Sequence, residues 1–396
     1  MKSEQQRWLL LMNIVFNLVM GFILPVNTVF MTKNLQESMV VAGAVLMLYS
    51  FVMMLGNFIG GYLFDRYSHR KTLLLGYCIA AVGFLTLSVF HTWPIYALIL
   101  TFVGLGMGVA YTAVNSYTAL VATQNRQHSQ KIFNVMYLAA NVGIAIGSML
   151  VSLIFQRSIF LTFFLPALCF VGCIIIVLFK GAILDGTRNI EQQESLRQES
   201  HIQEQQAGSI SYIRLRTNLF LLCISVLVVW LGYSQWDSNL SLYMLDNHLT
   251  MRDYSLLFSI NAASLIIVQP LMNRFVSRLL KQIKYQITLG LLIMSSSFFF
   301  LPGAHDYLQY VISIIILTVG ESITFPSIPA ILNKFATEEN RGRYQSFYVI
   351  FGSLGRAIGP YLGGLIATQY SFDLLFYVII VAIAVVAVGT LLVKEE

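Results

Sequence analysis

Two acidic side chains, Asp237 and Glu321, lie deep inside long apolar stretches, whereas the rest of the 18 Asp and Glu residues fall in polar segments or at the edges of apolar ones. A carboxylate at the middle of a bilayer costs roughly 2.5–3.5 kcal/mol on insertion scales, so such a residue usually faces a cavity or a partner. Low dielectric disfavours the ionised form, which suits a buried carboxyl to taking up and releasing a proton. We therefore predict that Glu321 and Asp237 couple this protein to protons.

Asp237 lies within the segment WLGYSQWDSNLSLYM. Aromatic, acidic and thioether side chains recur there at three- and four-residue steps, which would put them on one face of a helix: Tyr233, Trp236, Asp237, Leu240 and Met244. Such a face suits a lipophilic cation, because a carboxylate and aromatic rings both attract positive charge. The alternative is a buried acid hydrogen-bonded to a neighbour such as Asn239 or Tyr243, with the aromatic rings as ordinary packing.

Glu321 and Arg356 lie at the same predicted depth in two consecutive apolar stretches. Each is 13 residues from a basic residue at the inner edge, Lys334 and Arg343 respectively, which corresponds to about 20 Å along a helix. Adjacent antiparallel helices could bring them together. Either they form a static ion pair, or Glu321 alternates between a proton, Arg356 and substrate. Arg356 is therefore the third residue, with Glu321 and Asp237, that we predict to take part in proton coupling. Phe325, four residues after Glu321, is counted among the predicted substrate contacts.

The elements that position these residues are membrane helices. The chain has 396 residues, of which 57% are hydrophobic and 11% charged, against about 25% charged in soluble domains. Twelve apolar stretches are each long enough to cross a hydrocarbon core of about 30 Å. They cover approximately residues 8–31, 40–64, 72–90, 94–116, 132–155, 160–179, 217–245, 253–273, 285–302, 307–333, 344–367 and 372–393.

The basic residues predict the orientation of these spans. Cytoplasmic loops retain Lys and Arg, and with both termini inside, all but four of the 24 Lys and Arg residues fall in inner segments. The exceptions are Lys33, Arg157 and Arg252 in outer loops and Arg356 within a span. Both termini are therefore predicted to be cytoplasmic. The net charge of +6 reflects this topology signal and calls for no nucleic-acid partner.

The first half contributes amides and phenols instead of carboxylates. Candidate substrate contacts on the first, fourth and fifth spans are Asn17, Asn27, Tyr111, Asn115 and Tyr137. Asn17 and Asn27 lie roughly along one face of the first span, and Tyr111 and Asn115 are one turn apart in the fourth. Such polar groups can equally join helices to one another, a role worth about 0.6 kcal/mol on average.

The two halves of the chain resemble each other. LTFVG at Leu100–Gly104 aligns with ILTVG at Ile316–Gly320, and NVGIAIGS at Asn141–Ser148 aligns with SLGRAIGP at Ser353–Pro360, in the same order along each half. Between the halves lies a Gln- and Glu-rich segment too polar for the bilayer. We predict two six-helix bundles, residues 1–180 and 213–396, joined by a cytoplasmic linker over residues 181–212, with the substrate site between the repeats.

The chain resembles the major facilitator superfamily. Between the second and third spans it matches most of that family's loop pattern G-x-L-x-D-R-x-G-R-K, with Ser68 in place of the second glycine. The matching residues are Gly61, Leu63, Asp65, Arg66, His69 and Arg70. The resemblance implies an all-α membrane protein of two pseudo-symmetric six-helix bundles, with spans one, four, seven and ten lining the cavity. It also implies that Gly61, Asp65, Arg66 and Arg70 act in gating at the cytoplasmic side, whereas the alternative is a basic inner loop with one neutralising acid.

A second family pattern, g-x-x-x-G-P-x-x-G-G, is typical of antiporters in span five. Here it is degenerate in that span and complete in span eleven as GRAIGPYLGG, Gly355–Gly364. The resemblance therefore adds Gly355, Gly359 and Pro360 to the predicted gating residues. An acid in span seven and a Gly-Glu pair in span ten are similar to those of the lactococcal-type multidrug exporters among twelve-span drug:proton antiporters.

These features predict a proton-coupled secondary transporter that exports lipophilic, cationic drugs by alternating access. The alternative is a proton-coupled carrier of a metabolite, peptide or lipid whose anionic group binds Arg356. An enzyme or a sensor is not expected, because HExxH, GxSxG, P-loop and clustered metal-ligand motifs are absent from the sequence. We expect a monomer in a bacterial inner membrane, acting on a small molecule, with the proton gradient as its energy source and neither cofactor nor metal.

Overall fold

The computed structural model describes residues 4–124, 129–184, 212–335 and 341–395. Every regular element in these ranges is helical, and the α-helices are numbered here in chain order. They are α1 (Glu4–Val29), α2 (Met39–Arg66), α3 (His69–Val89), α4 (Ile95–Gln124), α5 (Ser129–Ile154), α6 (Ile159–Leu184), α7 (Tyr212–Asp237), α8 (Asn239–Asp246), α9 (Met251–Leu279), α10 (Ile283–Ser297), α11 (Tyr307–Phe335), α12 (Arg341–Gln369) and α13 (Phe372–Thr390). A π-helical turn, Phe30–Asn34, extends α1, and a short 3-10 turn, Phe298–Phe300, extends α10.

Twelve of these helices, searched over the described residues, are long and apolar enough to span a membrane. They agree closely with the twelve predicted spans, so the predicted all-α membrane fold is confirmed. A helix is the natural form of such stretches, because a bilayer offers no water to bond unpaired backbone groups. Serine hydroxyls cap the first turns of α2, α3 and α13: Ser38, Ser68 and Ser371 accept hydrogen bonds from the backbone N–H groups of Val41, Lys71 and Leu374.

The seventh span ends earlier than predicted. Its helix stops at Asp237, Ser238 leaves helical geometry with φ −135° and ψ −81°, and α8 begins at Asn239. The prediction that Leu240 and Met244 continue the helical face of Tyr233 and Asp237 is therefore wrong. Ser and Asn bond readily to nearby backbone, and they flank the break.

The first compact unit consists of Met1–Gly186, Trp236–Ala262 and Pro360–Leu365. Its core lies among α1 to α6 and is rich in aromatic rings that pack at an angle to one another, including Phe30, Tyr96 and Phe163. Two contacts attach the later segments to these helices or to each other. Lys33 Nζ, just after α1, lies 2.8 Å from Asp246 Oδ1 at the end of α8, and Asn239 donates to the backbone oxygen of Pro360.

The second compact unit consists of Thr187–Gln235, Ala263–Gly359 and Ile366–Glu396. The last described residues bind to three of its helices. Asn218 of α7 exchanges two hydrogen bonds with the backbone of Lys394, and the Glu395 carboxylate accepts from the backbone N–H of Lys284 and lies 3.4 Å from Lys334 Nζ. The predicted bundle boundaries and the linker at 181–212 stay predictions, since residues 185–211 lie outside the described part of the chain.

Candidate functional site

Three aromatic rings from two helices of the second unit pack together and are called the aromatic cluster here: Trp230 and Tyr233 of α7 and Phe325 of α11. The Trp230 and Phe325 rings are stacked, with centroids 5.0 Å apart and planes within 7°. The Tyr233 ring packs edge-on against Trp230, with centroids 5.1 Å apart, and lies tilted to the Phe325 ring, with centroids 6.0 Å apart. Such pairs contribute about 0.5–1.5 kcal/mol each beyond their area burial, so the cluster holds α7 and α11 in register.

Glu321 lies beside this cluster. Its side chain is buried, with 5% exposure, and Tyr233 donates its hydroxyl hydrogen to Glu321 Oε2 over 3.3 Å. Glu321 and Phe325 are four residues apart in α11 and therefore on the same face of that helix. A buried carboxyl thus lies next to an aromatic surface, and the predicted roles of Glu321 in proton coupling and of Phe325 in substrate contact stay predictions. The phenol that contacts the carboxyl comes from α7.

Arg356 of α12 also belongs to the site, but it contacts Trp230 and not Glu321. Its guanidinium carbon lies 4.0 Å from the centroid of the Trp230 ring, which is within cation–π range, and the side chain is exposed. Arg356 and Glu321, both in the described part of the chain, do not form an ion pair. The static ion pair that equal depth allowed is therefore not formed, because depth fixes height along a helix and not the direction in which a side chain leaves it.

Glycines of the GRAIGP motif place Arg356 against Trp230. A Cβ on Gly355 would overlap the Leu227 carbonyl oxygen and lie 2.8 Å from Trp230 Cβ, and one on Gly359 would overlap Ser234 Oγ. Only glycine permits this approach of α12 to α7. Gln235 also donates to the carbonyl oxygen of Gly359 at 2.9 Å. The motif predicted for gating is thus the contact surface between these two helices.

A cavity of about 280 Å³ lies among α9, α10 and α11 and is lined by none of the three cluster residues. Pro326 and Ser327, which follow Phe325, line it together with Met272 of α9 and Gln286 of α10. Its walls are mostly apolar, with the Gln286 amide and the Ser327 hydroxyl as polar groups 3.4 Å apart. The volume is near the lower end of the range for small-molecule sites.

Asp237 and Trp236 lie in the first unit. Both are buried, with 9% and 2% exposure, and Tyr254 of α9 donates its hydroxyl hydrogen to the Trp236 carbonyl oxygen. This bond fixes the end of α7 directly beside Asp237. Asp237 therefore occupies the helix break and not the middle of a regular helical face.

The amides predicted in α1 are engaged inside the first unit. Asn17 donates to the carbonyl oxygen of Asn13 at 2.8 Å, and Asn13 donates to the backbone of Met136 in α5. The Asn27 oxygen accepts from the hydroxyl of Tyr96 at 2.7 Å, with Asn27 only 2% exposed. The Tyr96 bond favours the helix-joining alternative for Asn27, whereas the Asn17 bond stays within α1. Contact of either residue with substrate stays a prediction.

Three other first-half candidates have exposed side chains. Tyr111 is 43% and Tyr137 40% exposed, and Asn115 is exposed one turn after Tyr111. The Tyr111 ring lies 5.6 Å from that of Phe16 in α1, so the α4 candidates face the side on which α1 packs. Their contact with substrate is likewise a prediction.

The basic residues at the junction of α2 and α3 contact neighbouring side chains and backbone. Arg66 lies over the ring of Tyr62 at 5.3 Å, and Arg70 donates to the Leu178 carbonyl oxygen of α6 at 2.8 Å. Asp65 is exposed, and a side chain at Gly61 would meet only an ordinary contact at 3.7 Å. Gly61 is thus not required sterically here, and the gating roles of these residues remain predictions.

Comparison with known proteins shows to which family the chain belongs. The model of the Major Facilitator Superfamily matches residues 9–328 and again 238–396. The chain belongs to the major facilitator superfamily. YttB of Bacillus subtilis (strain 168), an uncharacterized MFS-type transporter, is 31% identical over 377 residues, which is 94% of this chain and 90% of YttB. The multidrug resistance protein MdtH of Salmonella choleraesuis (strain SC-B67) is 22% identical over 360 residues, 90% of this chain and 85% of MdtH.

Solved structures show the same fold for this superfamily member. A POT family transporter in complex with 5-aminolevulinic acid superposes with a TM-score of 0.80 at 14% identity, covering 98% of this chain and 95% of that one. The nucleoside transporter NupG superposes with a TM-score of 0.78 at 14% identity, over all of both chains. The predicted major facilitator fold is confirmed, and the chain is a multi-pass membrane transporter of this superfamily.

Trp230 is the residue that sequence reasoning missed. It lies three residues before Tyr233, one turn closer to the start of α7, and the predicted aromatic face began at Tyr233. The signal was available, since Trp230, Tyr233 and Asp237 follow one another at three- and four-residue steps. What the sequence did not show was that the GRAIGP glycines would bring a guanidinium onto this ring.

Proposed function

We propose that this transporter is a proton-coupled exporter of lipophilic cations, with Glu321 as the group that exchanges a proton for substrate. The observation that carries the proposal is the buried Glu321 carboxyl, hydrogen-bonded by Tyr233 beside the stacked rings of Trp230 and Phe325. A carboxylate and aromatic faces together attract a delocalised cation. The guanidinium on Trp230 supports this, because it shows that a cation fits against the cluster.

Exchange follows from the cost of burying charge. A cation held beside ionised Glu321 is compensated, and so is a proton bound to that carboxyl, whereas the empty carboxylate is costly in low dielectric. Proton and cation therefore compete for one site, and the superfamily's alternating access carries each across in opposite directions. Asp237, buried at the break between α7 and α8, is proposed as a second acid that favours cationic over neutral ligands.

The experiment is proton release from purified transporter. Adding tetraphenylphosphonium to weakly buffered protein should release protons from the wild type and from Glu37→Gln, which removes a carboxyl outside the site. Glu321→Gln should bind the probe more weakly, because the compensating carboxylate is gone, and at saturating probe it should release no protons or clearly fewer. Equal release from Glu321→Gln and wild type contradicts the assignment of the proton to Glu321.

A second candidate function rests on Arg356. Its exposed guanidinium, not paired with Glu321, could bind the anionic group of a metabolite, peptide or lipid. Proton uptake on binding of anionic or zwitterionic compounds, with no proton release on adding cations, would favour this candidate over the first, because a nearby anion favours the protonated form of a carboxyl.

A further inference from the structure

A positively charged group, the Arg356 guanidinium, already lies over the Trp230 ring. Arg356 Cζ lies 4.0 Å from the ring centroid, and an arginine guanidinium stays protonated at any pH a protein meets. The guanidinium is therefore a permanent cation on the aromatic face best suited to a cationic ligand, since indole is the strongest of the aromatic rings in cation–π binding.

The backbone of α12 cannot move away from Trp230 without losing its contact with α7, whereas the side chain can. Gly355 sets the backbone distance, since a Cβ there would be 2.8 Å from Trp230 Cβ. Arg356 is an exposed residue whose side chain has several rotatable bonds, so the guanidinium can leave the ring by changing rotamer alone.

We propose that Arg356 is a tethered competitor for the Trp230 face: a lipophilic ligand cation occupies that face only after the guanidinium has left it. Arg356 thereby lowers affinity for cations and sets the charge selectivity of the site. This inference rests on the proposed function, because it takes the aromatic cluster as the binding surface and a cation as the ligand.

The expected size of the effect follows from the strength of the displaced contact. Cation–π pairs range from about 0.5 kcal/mol when exposed to about 2 kcal/mol when desolvated, which corresponds to roughly 2- to 30-fold in affinity. Removing the competitor should therefore tighten binding of a ligand cation by roughly this factor. A neutral ligand of the same shape gains no cation–π energy and should change less.

The experiment is equilibrium binding to purified transporter in detergent, where no membrane potential acts. The probes are tetraphenylphosphonium and the neutral triphenylphosphine oxide. Arg356→Met and Arg356→Gln remove the guanidinium, and Arg356→Lys keeps a cation. Arg278→Met, in the last turn of α9, removes the same charge elsewhere. Each Arg356 variant is repeated in a Trp230→Leu background, so that a double-mutant cycle isolates the part of the effect that passes through the ring.

Arg356→Met and Arg356→Gln should bind tetraphenylphosphonium more tightly than wild type and leave the neutral probe nearly unchanged, with Arg356→Lys and Arg278→Met close to wild type. The gain should vanish in Trp230→Leu. An equal gain for both probes, a gain that survives Trp230→Leu, or weaker cation binding without Arg356 overturns the inference. Failure of the proposed function would be seen in different experiments: proton release or uphill transport would then not depend on Glu321.

Discussion

Replacing Gly355 by alanine tests whether the GRAIGP motif places Arg356 on Trp230. The new Cβ would overlap the Leu227 carbonyl oxygen and lie 2.8 Å from Trp230 Cβ. Backbone cannot yield as a flexible side chain can, so α12 must move away from α7. Overpacking of this kind lowers the free energy of unfolding by about 1–3 kcal/mol. Part of this loss is offset, because alanine stabilises a helix interior by about 0.5–1 kcal/mol relative to glycine.

Gly172→Ala is the matched control. Gly172 lies inside α6 and a Cβ there would have no atom within 4 Å, so the same substitution should be neutral or slightly stabilising. We expect Gly355→Ala to be less stable than Gly172→Ala by about 1–3 kcal/mol, and to bind tetraphenylphosphonium differently because the Trp230 and Arg356 contact is altered. Thermal unfolding of the two purified variants in one detergent measures the first difference. Equal unfolding temperatures would refute the steric argument.

Three further changes have definite expected outcomes. Asp237→Asn should weaken cationic ligands selectively over neutral ones, measured by paired binding curves, and equal weakening of both would count against a charge role. Asp65→Asn should leave ligand binding unchanged but strongly reduce the transport rate in vesicles, and a normal transport rate would show that Asp65 has no role in gating. Glu395→Ala should lower stability by about 1 kcal/mol or more, because it leaves the Lys284 backbone N–H and the Lys334 ammonium without their carboxylate; an unchanged unfolding temperature would show that this contact contributes nothing.

Hydropathy was sufficient for the twelve spans, because bilayer thickness and the need for internal hydrogen bonds leave long apolar stretches little choice. The break at Ser238 was missed because the apolar stretch runs on through Leu240 and Leu242, and hydropathy does not register a local change of φ and ψ. The sequence did indicate polar groups at that point, in Asp237, Ser238 and Asn239.

The site was predictable in composition and less so in arrangement. Glu321 stood out because an acid inside a span is costly. Periodicity shows which residues share a face but not what that face meets, so Asn27 was expected to contact substrate although it bonds Tyr96 in the core. Equal depth allowed Arg356 to meet Glu321, whereas in the structure the guanidinium lies on the Trp230 ring beside the glycine contact of α12 with α7.

Uphill transport is the decisive test of whether the Glu321 carboxyl exchanges its proton for a cationic substrate. Exchange of one proton for one monovalent cation moves no net charge, so a pH difference of one unit supports about a tenfold concentration ratio. Reconstituted transporter in liposomes with an acidic lumen and the membrane potential clamped at zero should concentrate tetraphenylphosphonium, for wild type and for Glu37→Gln. Glu321→Gln should bind the probe and only equilibrate it. Accumulation by Glu321→Gln under the same pH difference would rule out Glu321 as the proton-exchanging group and assign the proton to another residue.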